Sequence, residues 1–208
     1  MSEQKKYEFT GKIKTIFGIE FKQIRAIISF GCVVAGEIGG WIECEENLSQ
    51  SGDAWVYGNA RVCGDAWVSG DARVYGDAWV YGNARVYGDA WVSGDARVYG
   101  NARVCGDAEV SGNARVSGDA WVYGDAEVSG DAEVKKDDDY MVVGGAGRYN
   151  RFTTFFKCRD KTIKVICGCF FGTIIEFRAK VKETHKGNKH EKVYLAMADM
   201  VELQLDDK

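Results

Sequence analysis

The residues best suited to chemistry are Gly144-Gly145-Ala146-Gly147-Arg148-Tyr149-Asn150-Arg151, with Thr153 and Thr154 just beyond. Closely spaced glycines let successive backbone N–H groups turn toward one point and form an anion nest. Arg148 and Arg151 would add forked donors for a phosphate, and Tyr149 a ring. The candidate ligand set is therefore Gly145, Gly147, Arg148, Tyr149, Asn150, Arg151, Thr153 and Thr154. The run is neither a phosphate-binding loop nor a dinucleotide fingerprint, because the Lys-Ser/Thr ending and the required glycine spacing are missing. The plainer reading is a flexible hinge.

Other candidates are weaker. Cys158, Cys167 and Cys169 could approach one another across a hairpin, with His185 or His190 as a fourth zinc ligand. C-x-C alone is a loose signal, and small buried hydrophobes account for these cysteines more simply. Asp53, Asp71, Asp89, Asp107 and Asp125 recur at a fixed interval and invite a calcium reading. Aspartates at corners that hydrogen-bond their own turns explain them better. No metal or cofactor is expected. A histidine base suits proton transfer near neutral pH, and the chain has only His185 and His190. No Ser or Cys has a base at suggestive spacing. An enzyme is not expected.

What must position these residues is a repeat of the form G-(D/N)-A-x-V-x. Its glycine falls at every sixth residue from Gly52 to Gly130, giving fourteen units. Within A-x-V the two apolar residues are two apart and point to one side of a strand, leaving x outside. Gly-Asp or Gly-Asn then supplies a bend, since these residues tolerate positive φ. A short strand and a corner every six residues make a polygonal coil filled by Ala and Val. Ile42 with Cys44, and Leu48 with Gln50, fall in phase with later Ala and Val, so the coil should extend outward from about Gly36 to Val143. Before Val, Trp and Arg alternate from Trp55 to Arg97. Stacked in coils of three rungs, each Trp would lie next to an Arg, in cation–π contacts of about 0.5–1 kcal/mol.

The open edges of such a coil need covering. Residues 7–35 read as strands with a turn near Gly18. Beyond the acidic break Asp137-Asp138-Asp139, Phe152–Lys157 and Thr162–Cys167 read as a hairpin. Thr173 and Glu176 form a capping box opening a helix to about His185, and Asn188 with Glu191 suggests a second. The expected organisation is an N-terminal β cap at 1–39, a β-helix at 40–143 and a C-terminal α+β cap at 144–208.

The repeat resembles the hexapeptide-repeat family, which implies a left-handed parallel β-helix of triangular section with eighteen residues per coil. Gly39-Gly40-Trp41-Ile42-Glu43, Asn47-Leu48-Ser49, Gly168-Cys169-Phe170-Phe171-Gly172-Thr173 and Lys182-Glu183-Thr184-His185 are similar to family members carried by phages and prophages. The resemblance implies a homotrimer, a bacterial cytoplasmic setting and a role in phage–host conflict. Acyltransferases of the family use a coil histidine that is missing here, and the uninterrupted rungs hold no pocket-building loop.

Charge agrees with a restricted ligand end. Residues 52–135 carry 7 basic against 13 acidic side chains, while 136–208 carry 14 against 11. That balance argues against extended nucleic-acid binding and leaves room for a basic pocket at the C-terminal end. No apolar run approaches about 20 residues, so no membrane span is expected. Seven cysteines without a framework spacing suggest reduced thiols. The expected function is a non-enzymatic binding protein, concretely a sponge for a phosphorylated nucleotide signal. The alternatives are a module that docks a host protein and, more remotely, an acyl-CoA-dependent acyltransferase.

Overall fold

A computed structural model describes residues 5–146 and 151–205. An antiparallel hairpin, β1 (Tyr7–Ile16) and β2 (Ile19–Ala26), leads to β3 (Ile38–Ile42), which is the first coil strand. Fourteen two-residue strands follow at six-residue intervals, β4 (Trp55–Val56) through β17 (Glu133–Val134). The C-terminal cap is an antiparallel sheet, β18 (Tyr140–Ala146), β19 (Arg151–Lys157), β20 (Ile163–Cys167) and β21 (Phe170–Thr173), with helices α1 (Ile174–His185) and α2 (Lys189–Leu205).

The coil is a parallel β-solenoid of about five turns. Residue i pairs with i+18, as in Arg73↔Trp91 and Val74↔Val92, and the rungs sort into three sheets. Ala and Val of each unit are fully buried from Ala54 to Val134. Each buried Val contributes about 1.5–3 kcal/mol through the apolar surface it removes from water. Every repeat glycine has positive φ, between +57° and +73°.

The Trp–Arg ladder forms where the caps leave room for it. Arg61 lies over Trp79, Arg73 over Trp91 and Arg103 over Trp121, at 5.2, 5.4 and 5.9 Å. Trp55 departs from the pattern. It is wholly buried beneath Tyr7 and Phe30, because the N-terminal cap covers that face of the first coil. Gly39 makes this burial feasible, since a Cβ there would sit 2.6 Å from the Trp55 ring.

Both coil ends close on the same device. Asn47 ends a single 3-10 turn, and its Oδ1 accepts from the N–H groups of Glu43 and Cys44 at 3.1 and 3.0 Å. Asp139 ends another, its Oδ2 accepting from Lys135 and Lys136 at 2.9 and 3.1 Å. At the first turn the phase differs from the sequence expectation. Ile42 lies opposite Val62 and Leu48 opposite Val68, so both occupy Val positions and the rung from Leu48 to Val56 is two residues longer than the rest. Val142 and Val143 likewise belong to β18 of the cap and not to the coil.

The open ends of the coil decide what each cap must supply. Successive coils are joined by parallel ladders, as in Trp55 N–H to Ala72 O at 3.0 Å. Each end therefore leaves backbone carbonyls and N–H groups without a coil partner, which are costly when buried. Lys6 serves the first end. Its ammonium is buried and donates to Gly52 O and Ala54 O at 3.1 and 2.8 Å. At the last end, Asp137 Oδ1 accepts from Trp121 N–H at 2.7 Å and Thr154 Oγ1 from Glu127 N–H at 3.0 Å. The Tyr140 hydroxyl donates to Trp121 O at 2.8 Å.

The C-terminal elements follow the expected chemistry. Thr173 Oγ1 accepts from Glu176 N–H at 3.2 Å, and Glu176 reaches back to Thr173 N–H at 2.7 Å, starting α1. Asn188 Oδ1 accepts from His190 and Glu191 at the start of α2. Ile174, Phe177 and Val181 of α1 pack with Tyr194, Ala198, Val201 and Leu205 of α2 against Phe155 and Val165.

Candidate functional site

The expected ligand segment divides. Gly147, Arg148, Tyr149 and Asn150 lie outside the described residues. Gly145 is in β18, where the strand's register with β19 shifts between Val143 and Ala146. Arg151 begins β19 and spreads against the β20–β21 turn, where a Cβ on Gly168 would sit 2.5 Å from its Nη1. Thr153 and Thr154 are buried. The Thr153 hydroxyl donates to Cys167 Sγ at 3.2 Å, and Thr154 caps the coil edge at Glu127. Thr154 therefore serves the docking of the cap on the coil, while Thr153 is bonded within the cap sheet on its helix-covered face.

The cysteines also separate. Cys158 is buried in the core shared by coil and cap, its residue bridged to Ala132. Cys167 packs on the other side of the cap sheet, with Phe155, Phe177 and Tyr194. Burial pushes the Cys158 thiol up from its ordinary value, which favours the neutral form over a metal-binding thiolate. Among the described residues, no three His, Cys, Asp or Glu side chains converge on a metal-sized point.

A concavity lies at the other end of β19. Between the last coil and the β19–β20 turn is a groove of ≈ 600 Å³ lined by Glu133, Lys135, Lys136, Asp139, Lys157, Cys158, Arg159, Lys161, Ile163 and Leu205. Six residues of extended strand separate Arg151 from Lys157, about 20 Å. The groove and the glycine-rich segment are thus distinct places.

Five cationic side chains face this groove against two carboxylates. Lys157 pairs with Asp139 at 3.3 Å, both nearly buried. Lys135 pairs with Glu133 at 2.8 Å, which holds the lysine above its ordinary pKa. Arg159 pairs with Asp131, and its N–H donates to the Asp131 carbonyl, pinning the β19–β20 turn to the coil. Lys136 and Lys161 are exposed and have no carboxylate partner among the described residues. Lys161 sits at φ +66°, the left-handed conformation that turns the hairpin. The arrangement is a wall of fixed ion pairs carrying two ammonium groups without a carboxylate partner among the described residues, suited to a ligand with negative charge and oxygen acceptors.

The sequence signal for this groove is distributed. Its cations come from two segments, Lys135-Lys136 and Lys157 to Lys161, separated by a whole strand. Only the excess of basic residues after position 136 pointed toward it. The solenoid itself is filled by Ala and Val, and some of its aromatic residues stack, Tyr57 on Tyr75 at 4.5 Å and Tyr81 on Tyr99 at 4.9 Å, while Phe17 of the N-terminal hairpin stacks on Trp79 at 5.9 Å.

Fold and site together define a β-solenoid repeat protein closed by two caps. Five stretches, residues 54–70, 66–82, 78–94, 96–110 and 108–124, match the YdcK beta solenoid repeat. The matched stretches lie within the coil, and neither cap is matched. No curated protein matches the chain. No helix among the described residues is long and apolar enough to cross a membrane.

Proposed function

We propose that this chain is a non-enzymatic binding protein in which the solenoid is a rigid spine and the coil–cap groove takes a phosphorylated ligand. The observation that carries the reading is the groove itself, where Lys136 and Lys161 have no carboxylate partner among the described residues and stand beside ion pairs that fix the wall. The fixed pairs hold the backbone, and the Lys136 and Lys161 ammonium groups are offered to an anion. The rungs hold no histidine and the coil interior is packed with Ala and Val, which speaks against acyl transfer along the coil.

The resemblance to phage and prophage repeat proteins supports a concrete version: a homotrimer in the bacterial cytoplasm that sequesters a phosphorylated nucleotide signal of host immunity. Calorimetric titration with a panel of cyclic and ADP-ribose-type nucleotides tests it, with inorganic pyrophosphate as the minimal probe. We expect binding that weakens at least tenfold in Lys136→Ala with Lys161→Ala, and with rising salt. Binding abolished by Arg148→Ala and Arg151→Ala but indifferent to the lysines would move the site to the glycine-rich segment. No binding across the panel would refute the reading.

A second reading rests on the helices. Ile175 and Leu203 are 76% and 84% exposed on α1 and α2, as a surface that docks a protein would present. Stoichiometric capture of one host protein, lost in Ile175→Glu and Leu203→Glu, would favour it.

A further inference from the structure

On the other flank of the Asp137–Asp139 turn is a second hollow of ≈ 430 Å³. Its lining includes Tyr123 and Asp125 of the coil, Asp137 of the turn, and Met141, Val142 and Phe152 of the cap. We infer that this hollow binds a planar aromatic ring carrying positive charge or amino donors, held against the unstacked ring of Tyr123 at the end of its coil face.

Elsewhere on the coil, surface tyrosines stack in pairs one coil apart: Tyr57 and Tyr75 at 11° between planes, Tyr81 and Tyr99 at 3°. Tyr123 follows Val122 in the same position of its unit, but the residue one coil below it is Cys105, so its ring has no aromatic neighbour in its column. Its sheet also ends there, since β15 (Trp121–Val122) is the last strand of its face. The chain then turns away into β18, and Tyr123 lines the hollow. Tyr123 is 55% exposed, with Trp121 tilted beside it at 5.4 Å.

The opposite wall is Phe152, which is 47% exposed although aromatic. Its ring lies across Gly144, where a Cβ would meet it at 2.6 Å. The glycine therefore sets the ring's position on the strand. The hollow is also held from below. Tyr140 is bonded to the Trp121 carbonyl, and Asp137 to the Trp121 N–H. Two aromatic rings on a fixed frame, with Met141 and Val142 in the same lining, suit a flat apolar body.

The charge at the rim chooses among flat ligands. Asp125 is exposed and without a partner among the described residues, and Asp137 stands across from it in the same lining. Gln204 adds an amide, already directed to Asp138 at 3.4 Å. Carboxylates beside aromatic faces favour cationic rings and exocyclic amino groups and disfavour anionic ones. This hollow thus has the opposite preference from the lysine groove, and the inference does not depend on that groove.

Fluorescence titration of the full chain with proflavine, a planar cation, tests the inference, with 9-anthracenecarboxylate as the planar anion. We expect proflavine to bind at least tenfold more tightly than the anion. Tyr123→Ala and Phe152→Ala should each weaken proflavine at least tenfold, and the isosteric Asp125→Asn at least threefold. Tyr81→Ala, in the stacked part of the coil, and Lys136→Glu, in the groove, should leave it within twofold. Unchanged thermal unfolding in Asp125→Asn keeps that variant readable if an aromatic variant is unstable. Equal affinity for the two rings would overturn the proposal. So would proflavine binding indifferent to Tyr123 and Phe152, as would self-association of the chain that Tyr123→Ala abolishes while no ring binds.

Discussion

Replacing Gly88 by Ala asks whether the coils are locked by backbone contact at their corners. Gly88 has φ +73°, and a Cβ there would point to the next coil, 2.9 Å from the N of Gly106. Gly124 is in the same column with φ +65°, yet its Cβ would meet nothing within 4 Å because no coil follows. Both substitutions force an L-residue into the left-handed region, at roughly 1–2 kcal/mol. Only Gly88→Ala adds overlap with a backbone atom, and overpacking of this kind costs about 1–3 kcal/mol. Relief by displacement would strain the bond from Asp71 N–H to Gly88 O, now 2.9 Å. We therefore expect Gly88→Ala to cost about 2 kcal/mol more than Gly124→Ala. For a chain of this size that corresponds to roughly 4–8 °C in Tm. Gly70→Ala, whose Cβ would sit 2.8 Å from the N of Gly88, should behave like Gly88→Ala. Urea unfolding followed by circular dichroism and differential scanning calorimetry read the difference. Equal losses at Gly88 and Gly124 would show that coil stacking does not restrict the corner, and would refute the reasoning.

Burial holds the Lys6 ammonium down to about 8 from its ordinary 10.5. Between those values the unfolded chain binds more protons than the folded one, so stability should rise with pH from about 8 to 10 by about 2 kcal/mol; Lys6→Met should remove most of that slope in unfolding curves taken across the window. Lys14, which lies over the Trp41 ring at 4.0 Å and is also held down to about 8, adds a smaller rise because it is more exposed. Asp139→Ala strips two backbone N–H groups of their acceptor and removes the ion pair with Lys157, so it should cost about 2–4 kcal/mol by chemical denaturation. Asp139→Asn keeps the acceptor oxygen and should cost less. Trp79→Ala removes the stacked contact with Phe17 and the cation over its face, and should cost about 1–2 kcal/mol with no change in oligomeric state by light scattering.

The coil was legible because a period of six with Ala and Val two apart leaves one way to bury them. The helix starts at Thr173 and Asn188 were legible for the same kind of reason, since capping is local. What the period did not carry was the long first rung after Leu48, where two additional residues break the phase and only Asn47 marks the corner. Trp55 looked like its exposed counterparts because burial by Tyr7 and Phe30 depends on how a distant hairpin folds back. The site was harder still. Thr153 and Thr154 sit beside a glycine-rich run, but strand alternation and the coil edge put both inside. The groove joins Lys136 to Lys161 only through the docking of the β19–β20 turn on Asp131, a contact without a local signature.

The central claim is that ligand binding resides in the coil–cap groove and that the coil is a spine. Native mass spectrometry of the intact chain, freshly purified from bacterial cells, tests it most directly. The account predicts a co-purified phosphorylated species that leaves as salt is raised and is missing from the Lys136→Glu, Lys161→Glu double variant. A bare chain that takes up no phosphorylated nucleotide when one is added, or an acyl-CoA adduct retained by that variant, would contradict it.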